Sequence, residues 1–166
     1  NELSVNLSEK TEYLLKQFWP GPLTIIIKKS IKVPYLVTSG LNSVGLRMPN
    51  HPTTLRLLKQ IPFPVAAPSA NPFGYVSPTT AQHVADQLGD KVDYILDGGP
   101  CKIGLESTIL SLVEDNPKIL RWGGLEKEKI ESIIGKIESN TYSTANPKAP
   151  GMLSAHYSPQ KTLQLG

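Results

Sequence analysis

The sequence predicts a layered α/β domain whose sheet contains both parallel and antiparallel strands. Apolar segments with the length of strands alternate with segments of helical periodicity, which is typical of α/β proteins. Two strand-like segments, Ser107–Val113 and Lys118–Trp122, flank an Asp-Asn-Pro turn, which predicts an antiparallel hairpin. With 166 residues the chain has the length of one domain, enough to bury roughly 70% of the surface exposed by its unfolded form.

The first helix and the first two strands have recognisable boundaries. Ser8 is a good N-cap for a helix over Glu9–Phe18, which has an acidic first turn and is followed by two prolines that end it. Leu23–Lys28 is a nearly continuous apolar run, so we expect a strand buried on both faces. Val44–Met48 predicts a second, shorter strand.

The middle of the chain predicts two helices and a short strand. A proline at the first helical position predicts a helix over Pro52–Gln60, and Val65–Ala67 predicts a brief strand. Ser77 is the expected N-cap of the next helix, Thr79–Leu88, and Gly89 is its expected C-terminal stop.

The last third predicts a further strand, the hairpin and a final helix. Val92–Leu96 reads as a strand closed by a Gly-Gly-Pro turn, and Glu126–Ile137 reads as a helix. From Glu138 the chain is rich in Ser, Thr, Asn and Pro and lacks either periodicity. We therefore expect a domain over residues 1–137 and a connecting arm over residues 138–166.

Composition excludes several classes of protein. The single cysteine, Cys101, allows no internal disulfide, so we expect a cytoplasmic protein. The longest apolar run, Leu23–Ile27, is far shorter than the roughly 20 residues that span a bilayer, so no membrane association is expected. A net charge of +3 suits a phosphate-bearing ligand or RNA without requiring either.

Several common catalytic signatures are absent from the sequence. There is no Gly-rich phosphate loop followed by Lys and Ser/Thr, no GxGxxG after a strand, no pair of cysteines and no serine-hydrolase elbow. The three histidines are too scattered for a zinc site. An enzyme with this sequence would use a less common site.

Small hydroxyl residues and arginines remain at the predicted strand ends, where α/β proteins bind ligands. Each has a structural interpretation too: Ser77 as a helix cap, the arginines as surface ion-pair partners, and the residues near position 70 as turn residues. Together they would offer hydroxyls, amides and two cations to a nucleotide and a small amino acid. The residues are Arg47, Ser69, Asn71, Ser77, Ser107, Thr108 and Arg121.

Five motifs around these residues resemble, in the same order, those of the YrdC-like threonylcarbamoyl-AMP synthase family. The resemblance implies a three-layer α/β domain with a twisted mixed sheet. Five ordered motifs over Phe18–Gly124 are specific, whereas one alone would be weak. They are FWPGPLT at Phe18–Thr24, VGLRMPNHP at Val44–Pro52, PSAN with SPTTAQHV between Pro68 and Val84, DGGPCKIGLESTIL at Asp97–Leu110, and LRWG at Leu120–Gly123.

The resemblance implies a nucleotidyltransferase reaction. L-threonine and bicarbonate or CO₂ form a carbamate, which attacks the α-phosphate of ATP to give threonylcarbamoyl-AMP and pyrophosphate, with Mg²⁺ assisting. The product passes to proteins that transfer threonylcarbamoyl to tRNA. No covalent intermediate is implied, so alignment and charge neutralisation would account for catalysis. No residue is assigned as a general base or a metal ligand.

The same resemblance assigns residues to two ligands. Arg47 would pair with the threonine carboxylate. Thr24, Asn71, Thr108 and His156 are secondary candidates. The ATP-contacting set is Ser43, Ser69, Ser77, Arg121 and Tyr157, and the threonine-contacting set is Arg47, Ala67 and Ser107.

The two ends of the chain differ from the family pattern in opposite ways. In the family, a basic KxRP-type segment and an early threonine-binding segment precede FWPGPLT, and this sequence contains neither. We therefore expect that residues 1–166 alone do not complete the sheet and do not catalyse the reaction at a normal rate. The tail PGMLSAHYSP at Pro150–Pro159 resembles the connector of the two-domain form of the synthase. We therefore expect a further small domain after Gly166.

Two rival functions remain. One is an RNA-binding module without catalysis. The basic residues do not cluster with aromatic residues, which argues against it. A weak RNA contact is still included among the expected partners. The other is the carbamoyl-adenylate-forming domain of a carbamoyltransferase. The connector-like tail at Pro150–Pro159 argues against this function. Dependence of ATP turnover on threonine separates all three.

Overall fold

A computed structural model describes residues 2–5 and 7–139 of the chain. Within this part, helices and strands interleave as an α/β protein requires, which confirms the predicted class. None of the described helices is long and apolar enough to cross a bilayer. The elements are α1 (Glu9–Phe18), β1 (Leu23–Lys28), β2 (Ser43–Arg47), α2 (Pro52–Gln60), α3 (Ala81–Leu88), β3 (Thr108–Ser111), β4 (Lys118–Arg121), α4 (Lys127–Ile134) and β5 (Glu138–Ser139).

The five described strands form one mixed sheet in the order β2-β1-β3-β4-β5. β1 pairs antiparallel with β2 and parallel with β3, while β3 and β4 form the predicted antiparallel hairpin. The register places Thr24 opposite Arg47, Leu23 opposite Thr108, and Ile109 opposite Arg121. The mixed sheet and the hairpin are confirmed.

One face of the sheet carries the main core. Alternate residues of β1 pack here with Leu110 of β3 and Ile119 of β4, beneath Leu14 of α1 and Ile130 of α4. These four side chains are fully buried. Burial of each is worth about 1.5–3 kcal/mol relative to exposure, so this face anchors the sheet.

The opposite face of the sheet carries the candidate site. Side chains alternate along a strand, so Thr24, Ile26 and Lys28 share this face with Ser43 and Arg47 across the β1–β2 ladder. A small apolar cluster at its centre contains Ile26, Ile109 and Leu120. Polar groups therefore lie at both ends of an apolar strip.

The ends of α1 and α4 follow ordinary capping chemistry. The Ser8 side chain accepts a hydrogen bond from the backbone N–H of Thr11, which confirms the predicted cap. α4 ends at Ile134 rather than at the predicted Ile137, because Gly135 adopts a positive φ of 88° that breaks the helical path.

Two predicted strands are wrong. Val65–Ala67 and Val92–Leu96 join no ladder with any described strand. Val65 is 54% exposed and Leu96 is 65% exposed. A strand requires a hydrogen-bonding neighbour as well as an apolar pattern, and neither segment has one within residues 7–139.

The start of α3 also differs from the prediction. The helix begins at Ala81, and Thr80 is the N-cap, accepting a hydrogen bond from the backbone N–H of His83 at 3.2 Å. Ser77 does not cap the helix because it lies three residues before Thr80, and its hydroxyl donates to Glu106 instead. The predicted stop at Gly89 is confirmed.

At the other edge, β5 lies directly after the predicted domain boundary at residue 137. Its two residues pair parallel with β4, so the chain joins the sheet where an arm was predicted to begin. The rest of that arm, residues 140–166, lies outside the described part of the chain.

Candidate functional site

Four of the predicted site residues lie at one end of the sheet. Thr24 is in β1 and faces Arg47 across the β1–β2 ladder, while Ser107 immediately precedes β3 and Arg121 ends β4. Four chain segments thus each contribute one polar side chain. We call this set, Thr24, Arg47, Ser107 and Arg121, the sheet-end cluster.

Ser107 is the centre of the hydrogen bonding in this cluster. Its Oγ lies 2.7 Å from Oγ1 of Thr24. Arg121 donates from Nε and Nη2 to the Ser107 carbonyl oxygen at 3.1 and 3.0 Å, and from Nη2 to Ser107 Oγ at 3.2 Å. Two of these contacts involve Oγ, so they hold the hydroxyl oxygen as well as the carbonyl of Ser107, which is only 5% exposed.

The two arginines make this end of the sheet cationic. Desolvation of the Arg47 guanidinium lowers its pKa, and the positive charge of Arg121 lowers it further. Arg47 is nevertheless exposed as a residue, so surrounding protein displaces only part of its hydration. A bound anion would relieve the repulsion between the two cations, and the cluster is therefore suited to a carboxylate or a phosphate.

Thr108 has a structural role. It is completely buried, and its Oγ1 accepts hydrogen bonds from the backbone N–H groups of Gly123 and Leu125 at 3.1 and 3.2 Å. Its hydroxyl also donates to the carbonyl oxygen of Leu125 at 3.3 Å. The hydroxyl proton and both lone pairs are used, so Thr108 fastens the segment after β4 to β3.

Glu106 is a residue that the sequence interpretation missed. Ser77 donates a hydrogen bond to its Oε1 at 2.7 Å, which joins the segment before α3 to the residue preceding Ser107. The position of Glu106 directly before Ser107 in the LEST segment was the available signal. The hydrogen bond holds the Glu106 carboxylate against the Ser77 hydroxyl.

Besides Ser77, three predicted residues lie in the loop before α3 and outside the sheet-end cluster. Ala67 and Ser69 are exposed on irregular backbone. Asn71 donates from Nδ2 to the carbonyl oxygens of Pro72 and Tyr75, which fixes its amide orientation and holds the loop. Its buried Oδ1 has no hydrogen-bond partner in the described structure.

Ser43 lies at the opposite end of β2 from Arg47, about 13 Å away at the usual rise per residue. It borders an open groove of about 660 Å³ on the same sheet face. The groove is lined by apolar Ile26, Val33 and Leu120 and by polar residues including Lys28. A volume of this size is typical of small-ligand sites.

The remaining predicted contributors are His156 and Tyr157, which lie outside the described residues. In the part that the structure describes, no group of three or more His, Cys, Asp or Glu side chains is placed to hold a metal ion.

Two family descriptions match the chain. The Sua5/YciO/YrdC family, described as telomere recombination, matches residues 1–123. The threonylcarbamoyl-AMP synthase C-terminal domain matches residues 125–166. The two matches account for nearly the whole chain.

Two curated relatives and a solved structure agree with these matches. The threonylcarbamoyl-AMP synthase of Pyrococcus abyssi is 46% identical over 161 residues, covering 95% of this chain and 47% of the relative. That of Bacillus subtilis is 45% identical over 161 residues, covering 95% and 46%. The crystal structure of P. abyssi Sua5 complexed with L-threonine superposes with a TM-score of 0.91 at 45% identity, covering 96% of this chain and 48% of that one. The chain thus spans about half the length of the relatives it matches.

Proposed function

This chain belongs to the Sua5/YciO/YrdC family, and on that premise we propose that it carries the adenylate-forming site of a threonylcarbamoyl-AMP synthase. The reaction condenses L-threonine, bicarbonate or CO₂, and ATP into threonylcarbamoyl-AMP and pyrophosphate. The names of the P. abyssi and B. subtilis relatives support this proposal, as does the L-threonine in the P. abyssi complex.

The observation that carries the proposal is the cationic sheet-end cluster. Arg47 is the proposed partner of the threonine carboxylate, and the buried Ser107 hydroxyl is a second group for the same ligand. An amino-acid carboxylate would reduce the repulsion between Arg47 and Arg121. Ala67, the third proposed threonine contact, would act from the loop before α3.

The proposed ATP site extends from this cluster along the same sheet face. The groove beside Ser43 has the volume and apolar lining that suit a nucleoside, and Arg121 would donate to the phosphates. Ser77 would turn its proton from Glu106 to a phosphate when ATP binds. Ser69 would contribute from its exposed loop. Tyr157, with His156 as an alternative, would approach from the proposed connecting arm over residues 138–166.

The chemistry proposed for this site is alignment and charge neutralisation. A carbamate oxygen attacks the α-phosphorus of ATP, and the bond to the pyrophosphate leaving group breaks. The arginines would stabilise negative charge on the carboxylate and the phosphates. Secondary groups, Asn71 and Thr108, would act by holding loops in place.

The side-chain oxygens of Glu106 and Ser77 fit a magnesium ion whose other ligands would be mainly the phosphates of ATP. Mg²⁺ usually takes one or two carboxylates together with phosphates and waters, and Glu106 is the carboxylate that lies against Ser77. When bound, the ion would neutralise phosphate charge. Glu106 and the Ser77 hydroxyl are the side chains proposed to hold it.

The cellular setting is also proposed. The product would pass to proteins that transfer threonylcarbamoyl to tRNA, with at most a weak direct RNA contact, and the reaction would take place in the cytoplasm. An activated threonylcarbamoyl group requires an acceptor, and tRNA is the acceptor that we propose.

The test is pyrophosphate release by the full-length protein with ATP, Mg²⁺ and bicarbonate, with and without L-threonine. Threonine-dependent release is expected in the wild type. Arg47→Ala should raise the KM for threonine about 10-fold to 100-fold, since a hydrogen bond to a charged group is worth about 1.5–3 kcal/mol. Arg56→Ala, which removes an exposed arginine of α2, is the matched control and should behave as wild type.

The alternatives give different results in the same assay. Release that ignores threonine but requires a carbamoyl donor would favour the carbamoyltransferase-type domain. Tight RNA binding without pyrophosphate release would favour the RNA-binding module.

A further inference from the structure

We propose that Thr24 is a positioning residue that orients the Ser107 hydroxyl toward the carboxylate of bound L-threonine. The proposal rests on the proposed function and extends it to a residue that would not itself contact the substrate. The motivating observation is the 2.7 Å separation between Oγ1 of Thr24 and Oγ of Ser107, beside a guanidinium nitrogen of Arg121.

The direction of these hydrogen bonds follows from counting protons. A guanidinium group only donates, so Arg121 Nη2 occupies one lone pair of Ser107 Oγ. The second lone pair and the single proton of Ser107 remain for Thr24 and the ligand. Thr24 either donates its proton to Ser107 or receives that of Ser107.

An anionic ligand selects between the two directions. A carboxylate has only acceptor atoms, so Ser107 stabilises it only by donating its own proton. This requires Thr24 to donate to Ser107, which fills both lone pairs of the serine and leaves its proton for the ligand. In the opposite direction Ser107 would present a lone pair to the carboxylate, which is repulsive.

The strand framework holds Thr24 in this role. Its neighbours Leu23 and Ile25 are completely buried, and Leu23 is opposite Thr108 in the parallel β1–β3 ladder. Thr24 also faces Arg47 across β2. A residue fixed on two ladders gives the Ser107 hydroxyl a defined orientation before substrate binds.

The test compares Thr24→Val with Thr24→Ser in the full-length protein. Valine keeps the shape of threonine but removes the donor, so the KM for L-threonine should rise about tenfold, which corresponds to one hydrogen bond of about 1.4 kcal/mol. The kcat and the KM for ATP should change less than about twofold. Thr24→Ser, which restores the hydroxyl, should bring the threonine KM to within about threefold of wild type.

A matched control and a double mutant distinguish positioning from general destabilisation. Thr11→Val removes another largely buried threonine hydroxyl, one that is bonded to Ser8 Oγ in α1, and should leave the threonine KM unchanged. Thr24→Val added to Ser107→Ala should have little further effect, because Thr24 acts through Ser107. If Thr24→Val does not fold, Thr24→Cys, with only a weak donor, takes its place.

The outcomes separate this proposal from the proposed function. An unchanged threonine KM in folded Thr24→Val, or full additivity with Ser107→Ala, would overturn the positioning role while leaving a threonine-dependent wild type intact. A wild type without threonine dependence would instead overturn the proposed function. A threonine-specific rise in KM that Thr24→Ser rescues supports the role.

Discussion

Ser77 donates a 2.7 Å hydrogen bond to Glu106, and this single contact joins the segment before α3 to the start of β3. A serine followed by a proline resembles a helix N-cap, yet the cap of α3 is Thr80. The consequence is that the Ser77 hydroxyl holds the Glu106 carboxylate, next to Ser107 in the chain, and not the first turn of α3.

Thr80→Ala should weaken the first turn of α3, whereas Ser77→Ala should not. The Thr80 hydroxyl accepts from the His83 backbone N–H, and loss of such a cap costs about 1 kcal/mol. Amide hydrogen exchange at His83 is the measurement. Faster exchange in Ser77→Ala than in Thr80→Ala would contradict the assignment.

Thr108→Val should destabilise the fold by about 1–3 kcal/mol, because the backbone N–H groups of Gly123 and Leu125 lose the hydroxyl acceptor of the completely buried Thr108. Thr108→Ser keeps the hydroxyl and should be more stable than the valine variant. Urea unfolding measures both. If Thr108→Val kept wild-type stability and lost threonine binding, Thr108 would be a ligand contact and not a structural residue.

Ile119→Ala should cost about 2–5 kcal/mol of unfolding free energy, since Ile119 is completely buried in the main core. The matched control is Ile31→Ala, whose side chain is fully exposed and whose loss should change stability by less than about 0.5 kcal/mol. Equal effects in chemical denaturation would mean that the main core does not lie beneath α1 and α4.

Glu131→Gln should lower the Tm at neutral pH but not in acid. The backbone N–H of Ile137 lowers the pKa of Glu131 below its ordinary value of 4.5, and Lys127 lowers it further, although partial desolvation opposes them. A lowered folded-state pKa gives stability that is present above the unfolded pKa and is lost as pH falls through the folded value.

Thermal unfolding from pH 7 to pH 3 tests the Glu131 prediction. The difference in Tm between wild type and Glu131→Gln should shrink as the pH falls below about 4.5. Asp93→Asn, which changes an exposed carboxylate outside the helices, should match wild type throughout. A difference that stays constant with pH would show that the charge of Glu131 contributes nothing.

Local signals predicted the elements that depend on local chemistry. The cap at Ser8, the prolines after Phe18 and the glycine stop of α3 act within one turn of chain, and all are found in the structure. The hairpin of β3 and β4 was predictable because its partners are adjacent in sequence.

Elements that depend on distant partners were not predictable in the same way. Tyr94 lies within a predicted strand yet is 94% exposed. The sequence pattern of a segment does not specify which other strand, if any, pairs with it. Glu106 was missed for a related reason: its significance arises only when the fold brings Ser77 beside it. The ligand roles of the predicted site residues remain predictions.

The parallel pairing of β1 with β3 has a consequence for how this protein reaches its native state. Thr24 and Ser107 are separated by 83 positions, so the chain must close a long loop before they meet. Such high contact order favours slow folding, with the binding determinants assembled only as the central ladder closes. A ligand that contacts both segments would bind only the native state and would therefore stabilise the whole domain. The melting temperature should rise roughly with the logarithm of the ligand concentration.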